Sequence, residues 1–275
     1  MSFCRLPKSN LHTHTEFGDG ADPAEEMVLA AINCGMEVIG FSEHACTPFD
    51  LRYCMAPQAD AAYRQEIVRL RQKYGDRIGI LCGIEQDFYA EPAAEPYDFS
   101  IGSVHYVFLN GCFCEIDGAA ETLMQVVREH CGGDFYRLIR TYYRTVAEVI
   151  EKTGCTIVGH FDLITKFNGG NRLFDENDPR YRQAALEALD VLLERDGLFE
   201  INTGAVSRNY RRLPYPAAIL LQRIAEKRGR VTVSSDAHRR EHLMYGFPMA
   251  VQIARAAGLG SLQMMTRSGW KNCPL

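Results

Sequence analysis

Histidine and carboxylate side chains recur in this sequence in short pairs that can bind a metal ion. His12-x-His14 stands near the N-terminus, and Asp236-x-His238 stands near the C-terminus. Side chains two residues apart on an extended strand project to the same side, so one cation can accept both members of such a pair. Clustered divalent ions can provide a nucleophile at neutral pH and bind phosphoryl oxygens. The chemistry that these pairs favour is therefore metal-assisted hydrolysis.

Other candidate ligands stand singly, each at or just beyond the end of a predicted strand. A lone histidine is weak evidence for a metal site, but the joint placement of the whole set at strand ends is difficult to attribute to chance. The set is completed by His44, Glu85, His105 and His160. The remaining histidines, His130 and His242, lie in helical or strongly charged segments, and we expect them to be surface or capping residues.

The elements that must position these ligands are short apolar runs alternating with longer segments of helical period. This pattern is typical of repeated β-α units and a parallel sheet. In a parallel α/β barrel the carboxyl ends of all strands meet on one face, so residues distant in sequence surround one pocket. The strands are predicted over Ser9–His12, Glu37–Ser42, Ile78–Gly83, Phe99–Val104, Thr156–Gly159, Leu198–Ile201 and Val231–Ser234.

Amphipathic helices are predicted between the strands, because apolar residues recur three and four positions apart. Asp22-Pro23 and Asp134 are expected at helix starts, and the chain after Leu262, with Trp270, is expected to be structural or poorly ordered. No internal repeat or linker divides the chain, so we expect one domain over residues 1–275. The predicted helices are Pro23–Cys34, Ala59–Lys73, Glu121–His130, Phe135–Lys152, Arg180–Arg195, Pro216–Lys227 and Met244–Ala257, and the predicted long loops are Cys46–Pro57, Gln86–Tyr97 and Thr165–Pro179.

Composition limits the classes of function. The 275 residues are 47% hydrophobic and 24% charged, with a mean hydropathy of −0.19, which is ordinary for globular proteins. A net charge of −5 disfavours a nucleic-acid partner, because no excess of basic residues is present to neutralise a phosphate backbone. No apolar run reaches the roughly 18 residues needed to span a bilayer, and Met1–Pro7 lacks the apolar core of a signal peptide. We therefore expect a cytoplasmic protein with no membrane partner.

The 10 cysteines contain no C-x-x-C pair, so a zinc ribbon or a disulfide scaffold is not indicated. Reduced thiols, mostly in the core, are the expected state. Cys112-x-Cys114 could bind a metal, but the alternation of Gly111–Ile116 is typical of a strand.

These motifs resemble those of the PHP (polymerase and histidinol phosphatase) superfamily, and the chain is most similar to its histidinol-phosphate phosphatases of the HisJ/HisK type. The resemblance implies a distorted (β/α)7 TIM-like barrel, the PHP fold, with up to three metal ions. It also implies a phosphomonoesterase of histidine biosynthesis, in which a metal-bridging hydroxide converts L-histidinol phosphate to L-histidinol and phosphate. The segments that carry the resemblance are His12–Gly20, Ile101–His105, Gly159–Ile164 and Glu200–Gly204.

The same resemblance implies a role for each ligand. One metal would take His12, His14, Glu85 and Asp236, a second would take Glu85, His105 and His160, and a third would take His44 and His238. Two or three divalent ions are implied, and imidazole with carboxylate suits zinc, iron and manganese alike. Some relatives have a third-metal histidine after H-x-H where this chain offers Asp19. Asp19 is either a ligand or the acid that protonates the leaving alcohol, and the catalytic candidates are Asp19, Glu85 and His238.

Substrate-binding candidates are cations near the same strand ends, since phosphate oxygens not held by metals accept hydrogen bonds from Lys and Arg. Lys166 and Arg208 are favoured over Arg172, Arg211 and Arg212. Asp162 and Asn202 are candidates to orient His160 and the metal ligands. The imidazole and amine of histidinol could be recognised by Glu16, Asp19, Tyr53, Tyr106 or Tyr210, and the oligomeric state is open.

Two alternatives accompany this hypothesis. The first is a PHP-type phosphoesterase that acts on another small phosphate monoester or diester. The second is a noncatalytic metal- or phosphate-binding protein that retains the barrel. Turnover of any phosphate ester would reject the second alternative.

Overall fold

The computed structural model describes residues 6–93 and 95–275, so Cys4 and most of the N-terminal segment considered above lie outside it. In chain order the strands are β1 (Ser9–Asn10), β2 (Val38–His44), β3 (Gly79–Asp87), β4 (Phe99–Ser103), β5 (Tyr106–Leu109), β6 (Cys112–Glu115), β7 (Ile157–Val158), β8 (Leu198–Asn202), β9 (Arg230–Ser234), β10 (Ser261–Thr266) and β11 (Gly269–Pro274). Seven parallel strands form one sheet in the order β1-β2-β3-β4-β7-β8-β9, nearly closed into a barrel, which confirms the predicted fold. All the predicted strands are present in this sheet, and β3 continues past the predicted end at Gly83 to Asp87.

The first and last strands of the sheet meet just beyond their ends. An isolated parallel bridge joins Thr13 to Ala237. The His14 amide donates to the Ala237 carbonyl at 2.9 Å, and the Ala237 amide donates to the His12 carbonyl at 3.2 Å. The H-x-H and D-x-H segments therefore lie side by side where the barrel closes.

Side-chain alternation divides each strand between the barrel interior and the helix layer. On β8, Phe199 and Ile201 pack in the core cluster beneath the helices, while Leu198 packs in a separate interior cluster with Val38 and Phe99. Glycine makes room for Phe99, because a Cβ at Gly83 would lie 2.3 Å from its ring. Both faces of these strands are covered, as in other parallel sheets, and the polar ligands occupy interior positions nearer the carboxyl ends.

Each predicted helical segment contains a helix, one of them in two parts, and a short helix over Gly204–Ser207 was not predicted. The segment predicted as one helix over Phe135–Lys152 is two helices, which meet at Glu148. Both expected helix starts are confirmed, and Asp134 caps its helix by accepting a hydrogen bond from the Tyr136 amide at 2.9 Å. The helices are α1 (Ala24–Asn33), α2 (Asp60–Tyr74), α3 (Ala120–His130), α4 (Phe135–Ala147), α5 (Val149–Thr153), α6 (Pro179–Glu194), α7 (Gly204–Ser207), α8 (Ala218–Glu226) and α9 (Phe247–Ala256), with 3-10 turns at Pro57–Ala59, Leu163–Thr165 and Arg240–His242.

Two antiparallel hairpins complete the fold. β5 and β6 follow β4, with Tyr106 paired to Glu115. The strand expected over Gly111–Ile116 is present as β6, in which Cys112 is exposed and Cys114 is buried. β10 and β11 form the C-terminal hairpin, in which Trp270 packs against the interior cluster. The segment after Leu262 is therefore structural. All the described cysteines are free thiols, and within the described ranges no helix is long and apolar enough to cross a membrane.

Candidate metal centre

The structure brings together every metal ligand predicted from the sequence. Each ligand lies at or near the carboxyl end of a strand, and all but His238 are buried. Their donor atoms form overlapping groups within which all atoms lie no more than 4.8 Å apart. These groups are His14, Asp19, His44 and His238; His12, Glu85 and His160; His12, His14 and Asp236; and His44, Glu85 and His105.

Glu85 lies at the centre of the cluster, and its two oxygens face different imidazoles. Oε2 lies 3.1 Å from His12 Nε2 and 3.0 Å from His44 Nδ1. Oε1 lies 3.0 Å from His160 Nε2 and 3.5 Å from His105 Nε2. Burial opposes the charged form, but the charges of the imidazoles hold the pKa of Glu85 well below its usual range. The carboxylate is therefore ionised and positioned to join two groups of ligands.

Asp236 joins the two ends of the barrel sheet. Its Oδ1 lies 3.4 Å from His14 Nε2, 3.7 Å from His12 Nε2 and 3.4 Å from His238 Nδ1. Its Oδ2 accepts a hydrogen bond from Arg208 Nη2 at 2.9 Å. Although burial opposes ionisation, the Arg208 guanidinium and the imidazoles hold the pKa of Asp236 well below its usual range.

Asp19 lies beside the imidazoles of a third group. Its Oδ2 is 3.2 Å from His238 Nε2, and its Oδ1 is 3.8 Å from His44 Nε2 and 3.9 Å from His14 Nδ1. Burial opposes its charge, but the hydrogen bond with His238 and the charge of His44 lower its pKa below the usual range. An ionised carboxylate in this position suits a metal ligand better than a proton donor.

The donor atoms fit divalent cations. His12 Nε2, both ring nitrogens of His14 and Glu85 Oε2 are buried, and none has a hydrogen-bond partner within the described part of the chain. Burial, together with His238 and His44, lowers the pKa of His14 to about 3, so its ring is neutral and competent to bind a metal. Buried polar atoms without partners are costly, and cations held between these nitrogens and carboxylates would remove that cost.

Glu200 supports the cluster from inside the barrel, although the Glu200–Gly204 motif was assigned no role for this carboxylate. Its Oε2 accepts hydrogen bonds from His12 Nδ1 at 2.9 Å and Ser234 Oγ at 2.5 Å. Its Oε1 accepts from the His160 amide at 2.6 Å and Asn202 Nδ2 at 2.8 Å. A carboxylate on Nδ1 leaves the His12 Nε2 lone pair free for a metal, as in other metal-bound histidines.

Asp87 supports His105 in the same way, and it was not predicted from the sequence either. Its Oδ2 accepts from the His105 amide at 2.8 Å and lies 3.2 Å from His105 Nδ1. Ser103 Oγ donates to Glu85 Oε1 at 2.6 Å. The orientation of these ligands is thus fixed by side chains of β3 and β4.

The two predicted orienting residues have different surroundings. Asn202 donates to Glu200, and through that carboxylate it reaches the His160 amide. Asp162 instead accepts from the Ala217 amide at 3.0 Å; within residues 6–93 and 95–275 it has no hydrogen bond to His160. Burial raises the pKa of Asp162 to about 6, against the opposing charge of Arg211.

A cavity of 580 Å³ opens onto the cluster, and this volume lies within the roughly 300–1,000 Å³ that is typical of small-ligand sites. Lys166 and Arg208, the favoured phosphate-binding candidates, both line it, and Arg172, Arg211 and Arg212 do not. Lys166 Nζ donates to the Asp117 carbonyl at 2.7 Å and to its carboxylate at 3.1 Å. Arg208 Nη1 lies 2.8 Å from His238 Nδ1.

Comparison with known families agrees with this geometry. The family model described as PHP domain matches residues 10–204, which is more than half of the chain. The chain belongs to the PHP domain family. The match covers the candidate ligands of this PHP protein from His12 to His160, and the D-x-H pair lies beyond it.

Curated relatives of this PHP protein align with most of its length. A protein of Schizosaccharomyces pombe named "Probable histidinol-phosphatase" is 27% identical over 265 residues, which cover 88% of this chain and 84% of that protein. The histidinol-phosphatase of Bacillus subtilis is 25% identical over 266 residues, which cover 88% of this chain and 97% of that protein.

A solved structure shares the fold. It is the histidinol phosphate phosphatase of Lactococcus lactis subsp. lactis in complex with zinc, L-histidinol and phosphate. The TM-score between this structure and that of the present chain is 0.73, at 21% sequence identity, and the alignment covers 97% of this chain and 100% of that chain.

Proposed function

We propose that this PHP protein is a metal-dependent phosphomonoesterase that hydrolyses L-histidinol phosphate to L-histidinol and phosphate. The observation that carries the proposal is the convergence of buried imidazoles and ionised carboxylates on one cavity that is also lined by Lys166 and Arg208. The substrate is supported by the names of the curated relatives and by the ligands of the structural relative from Lactococcus lactis.

Two or three divalent ions are part of this proposal, and zinc, iron and manganese all suit the donors. When bound, such ions supply a nucleophile at neutral pH and neutralise the charge of a phosphoryl group. Glu85 would join two of the ion sites through its two oxygens. The proposed ligand sets are His12, His14, Glu85 and Asp236; Glu85, His105 and His160; and Asp19, His44 and His238.

The cations of the cavity would hold the phosphoryl group of the substrate. Arg208 is oriented by its hydrogen bond to Asp236 at 2.9 Å, so its guanidinium is fixed beside the ligand cluster. Lys166 is held by Asp117. Phosphate monoesters require accelerations of up to ~10²¹ for hydrolysis, so positive charge from side chains is needed in addition to that of the ions.

Asp19 is assigned here to the ligands and not to the proton donors. Its pKa lies below the usual range because of the His238 hydrogen bond and the neighbouring imidazoles, against the effect of burial. A group ionised at neutral pH cannot donate a proton to a leaving alkoxide. Asp19, Glu85 and His238 are thus proposed as catalytic residues that act through the bound ions.

A substrate panel tests the proposal. Phosphate release by the zinc-loaded protein would be compared for L-histidinol phosphate, other small monoesters and a dinucleotide. We expect the highest kcat/KM for L-histidinol phosphate, by at least about tenfold, because recognition of its polar groups discriminates strongly against analogues that lack them. A higher kcat/KM for another monoester or for the dinucleotide would overturn the substrate assignment but would not contradict the proposed metal site.

A further inference from the structure

The cavity has a second wall that the proposed chemistry does not use. This wall is formed by the β5–β6 hairpin and the turn that follows it. Tyr106, Glu115, Asp117 and Gly118 all line the cavity there. Two carboxylates on the wall of a phosphate-binding cavity are unexpected, because they repel an anionic ligand unless they interact with another part of it.

Strand register places Glu115 close to the metal ligands. Glu115 pairs directly with Tyr106 across the hairpin, and Tyr106 follows His105 in the chain. The Ile116 amide donates to the His105 carbonyl at 2.8 Å. Paired residues on antiparallel strands have Cα atoms about 4.5–5.5 Å apart. Glu115 is therefore close enough to His105 for one small substrate to contact both residues.

The charge of Glu115 is only weakly compensated. Its nearest cation is Arg52, whose Nη2 lies 3.4 Å from Oε2. The same guanidinium is already committed to Asp50, to which its Nε donates at 2.8 Å. Asp117, in contrast, is neutralised by Lys166 at 3.1 Å. Glu115 is therefore the carboxylate of this wall that can accept a hydrogen bond from a further cation, and its side chain is 24% exposed.

We infer that Glu115 is a specificity-determining residue that binds the ammonium group of the substrate. The inference rests on the proposed function, because L-histidinol phosphate carries its ammonium on the carbon next to the phosphorylated one. Arg208 and the ligand cluster attract the phosphate end of such a molecule, and Glu115 attracts the amine end. Phosphate esters without an amine lack the second interaction.

Gly118 offers an independent way to disturb Glu115. A Cβ at Gly118 would lie 2.4 Å from Glu115 Cδ and Oε2. Because the atoms that must move belong to the end of a flexible side chain, Gly118→Ala would shift the carboxylate at little cost to the fold. This variant keeps the charge of Glu115 and changes only its position.

The test compares two substrates that differ in the amine alone: L-histidinol phosphate and 3-(imidazol-4-yl)propyl phosphate. For the zinc-loaded Glu115→Gln protein we expect kcat/KM on the amine substrate to fall about tenfold to hundredfold, as for loss of a charge-assisted hydrogen bond. The kcat/KM on the substrate without the amine should stay within about twofold of wild type. Gly118→Ala should lose the same selectivity, and Glu121→Gln, an exposed exchange on α3, should lose none.

Product inhibition provides a second readout. In Glu115→Gln the inhibition constant of L-histidinol should rise about tenfold, while that of inorganic phosphate and the zinc content stay unchanged. If Glu115→Gln retains the wild-type preference for the amine substrate, the inference is wrong and the proposed function stands. If the wild-type protein does not hydrolyse L-histidinol phosphate at all, the proposed function fails and the inference fails with it.

Discussion

The backbone amide of His14 donates to the carbonyl of Ala237 at 2.9 Å across the seam where the barrel closes. This bond and its partner, from the Ala237 amide to the His12 carbonyl at 3.2 Å, set the spacing between the first and last strand ends. Asp236 Oδ1 consequently lies 3.4 Å from His14 Nε2. The hydrogen bonds that join the first and last strands therefore also bring the candidate metal ligands at the ends of these strands together.

Glu200 should control metal affinity although it is not itself in the proposed ligand sets. Glu200→Gln removes a carboxylate that accepts from His12 Nδ1 at 2.9 Å, so the preferred tautomer and orientation of that ring are lost. Loss of such a supporting partner typically weakens metal binding about 10–100-fold. Zinc titration against a competing chelator measures the change. Glu187→Gln, on the exposed face of α6, is the control, and equal affinity in both variants would contradict the prediction.

Removal of metal should destabilise the folded protein. A ligand that binds only the native state adds about 2.7 kcal/mol of stability at a free concentration one hundred times its Kd. Thermal unfolding should therefore occur at a lower Tm with chelator than with zinc. This difference should largely vanish in His14→Ala and persist in His242→Ala, whose histidine lies outside the clusters formed by the described residues. A zinc-independent Tm in the wild type would count against the site.

Phe199 should be among the more sensitive core positions. It is fully buried on the helix side of β8, and truncation of a buried Phe to Ala costs about 3–5 kcal/mol, from lost burial and the cavity left behind. Urea unfolding monitored by circular dichroism would measure this change in the free energy of unfolding. Phe108, which is 49% exposed, is the matched control, and Phe108→Ala should cost much less. Similar losses in the two variants would refute the assigned packing.

Glu25 should make stability depend on acid pH. Hydrogen bonds from Lys73, Tyr74 and Arg69 lower the pKa of Glu25 from 4.5 to about 2. A carboxyl whose folded pKa is depressed stabilises the protein fully above its unfolded pKa, and this contribution is lost as the pH falls through the folded value. The carboxylate is 28% exposed, so solvent screening limits its contribution to about 1 kcal/mol.

The measurement is urea unfolding of the wild type and Glu25→Gln at several pH values. The wild type should be more stable by a constant amount above about pH 5, and the difference should shrink between about pH 4.5 and pH 2. Comparison of the two proteins cancels other titrating groups that they share. A difference that grows on acidification would have the wrong sign.

The convergence of the candidate ligands could be predicted from the sequence, because these residues stand at the ends of strands that are recognisable by their apolar runs. Glu200 was harder to identify, since the pattern around it is that of a strand and a single carboxylate in a strand usually faces solvent. A usable signal was present: a strand of a parallel sheet is covered on both faces, so a charged residue inside it must have buried partners.

The hairpins show another limit of sequence patterns. The β5–β6 turn contains Asn110-Gly111, both with positive φ. This dipeptide is a strong hairpin signal, but it does not belong to the repeated β-α pattern from which the strands were predicted. The C-terminal hairpin turns at Arg267-Ser268, which offers no such signal. Its stability derives from tertiary packing of Trp270 on the interior cluster, which the local sequence does not reveal.

Phosphate release from L-histidinol phosphate, measured for zinc-loaded, chelator-treated and His14→Ala protein, tests the central claim most directly. We expect rapid release by the zinc-loaded wild type, loss of activity on chelation with recovery on added zinc, and loss in His14→Ala that zinc does not restore. Activity that survives both chelation and His14→Ala, or its absence in the zinc-loaded wild type, would contradict a metal-dependent histidinol-phosphate phosphatase.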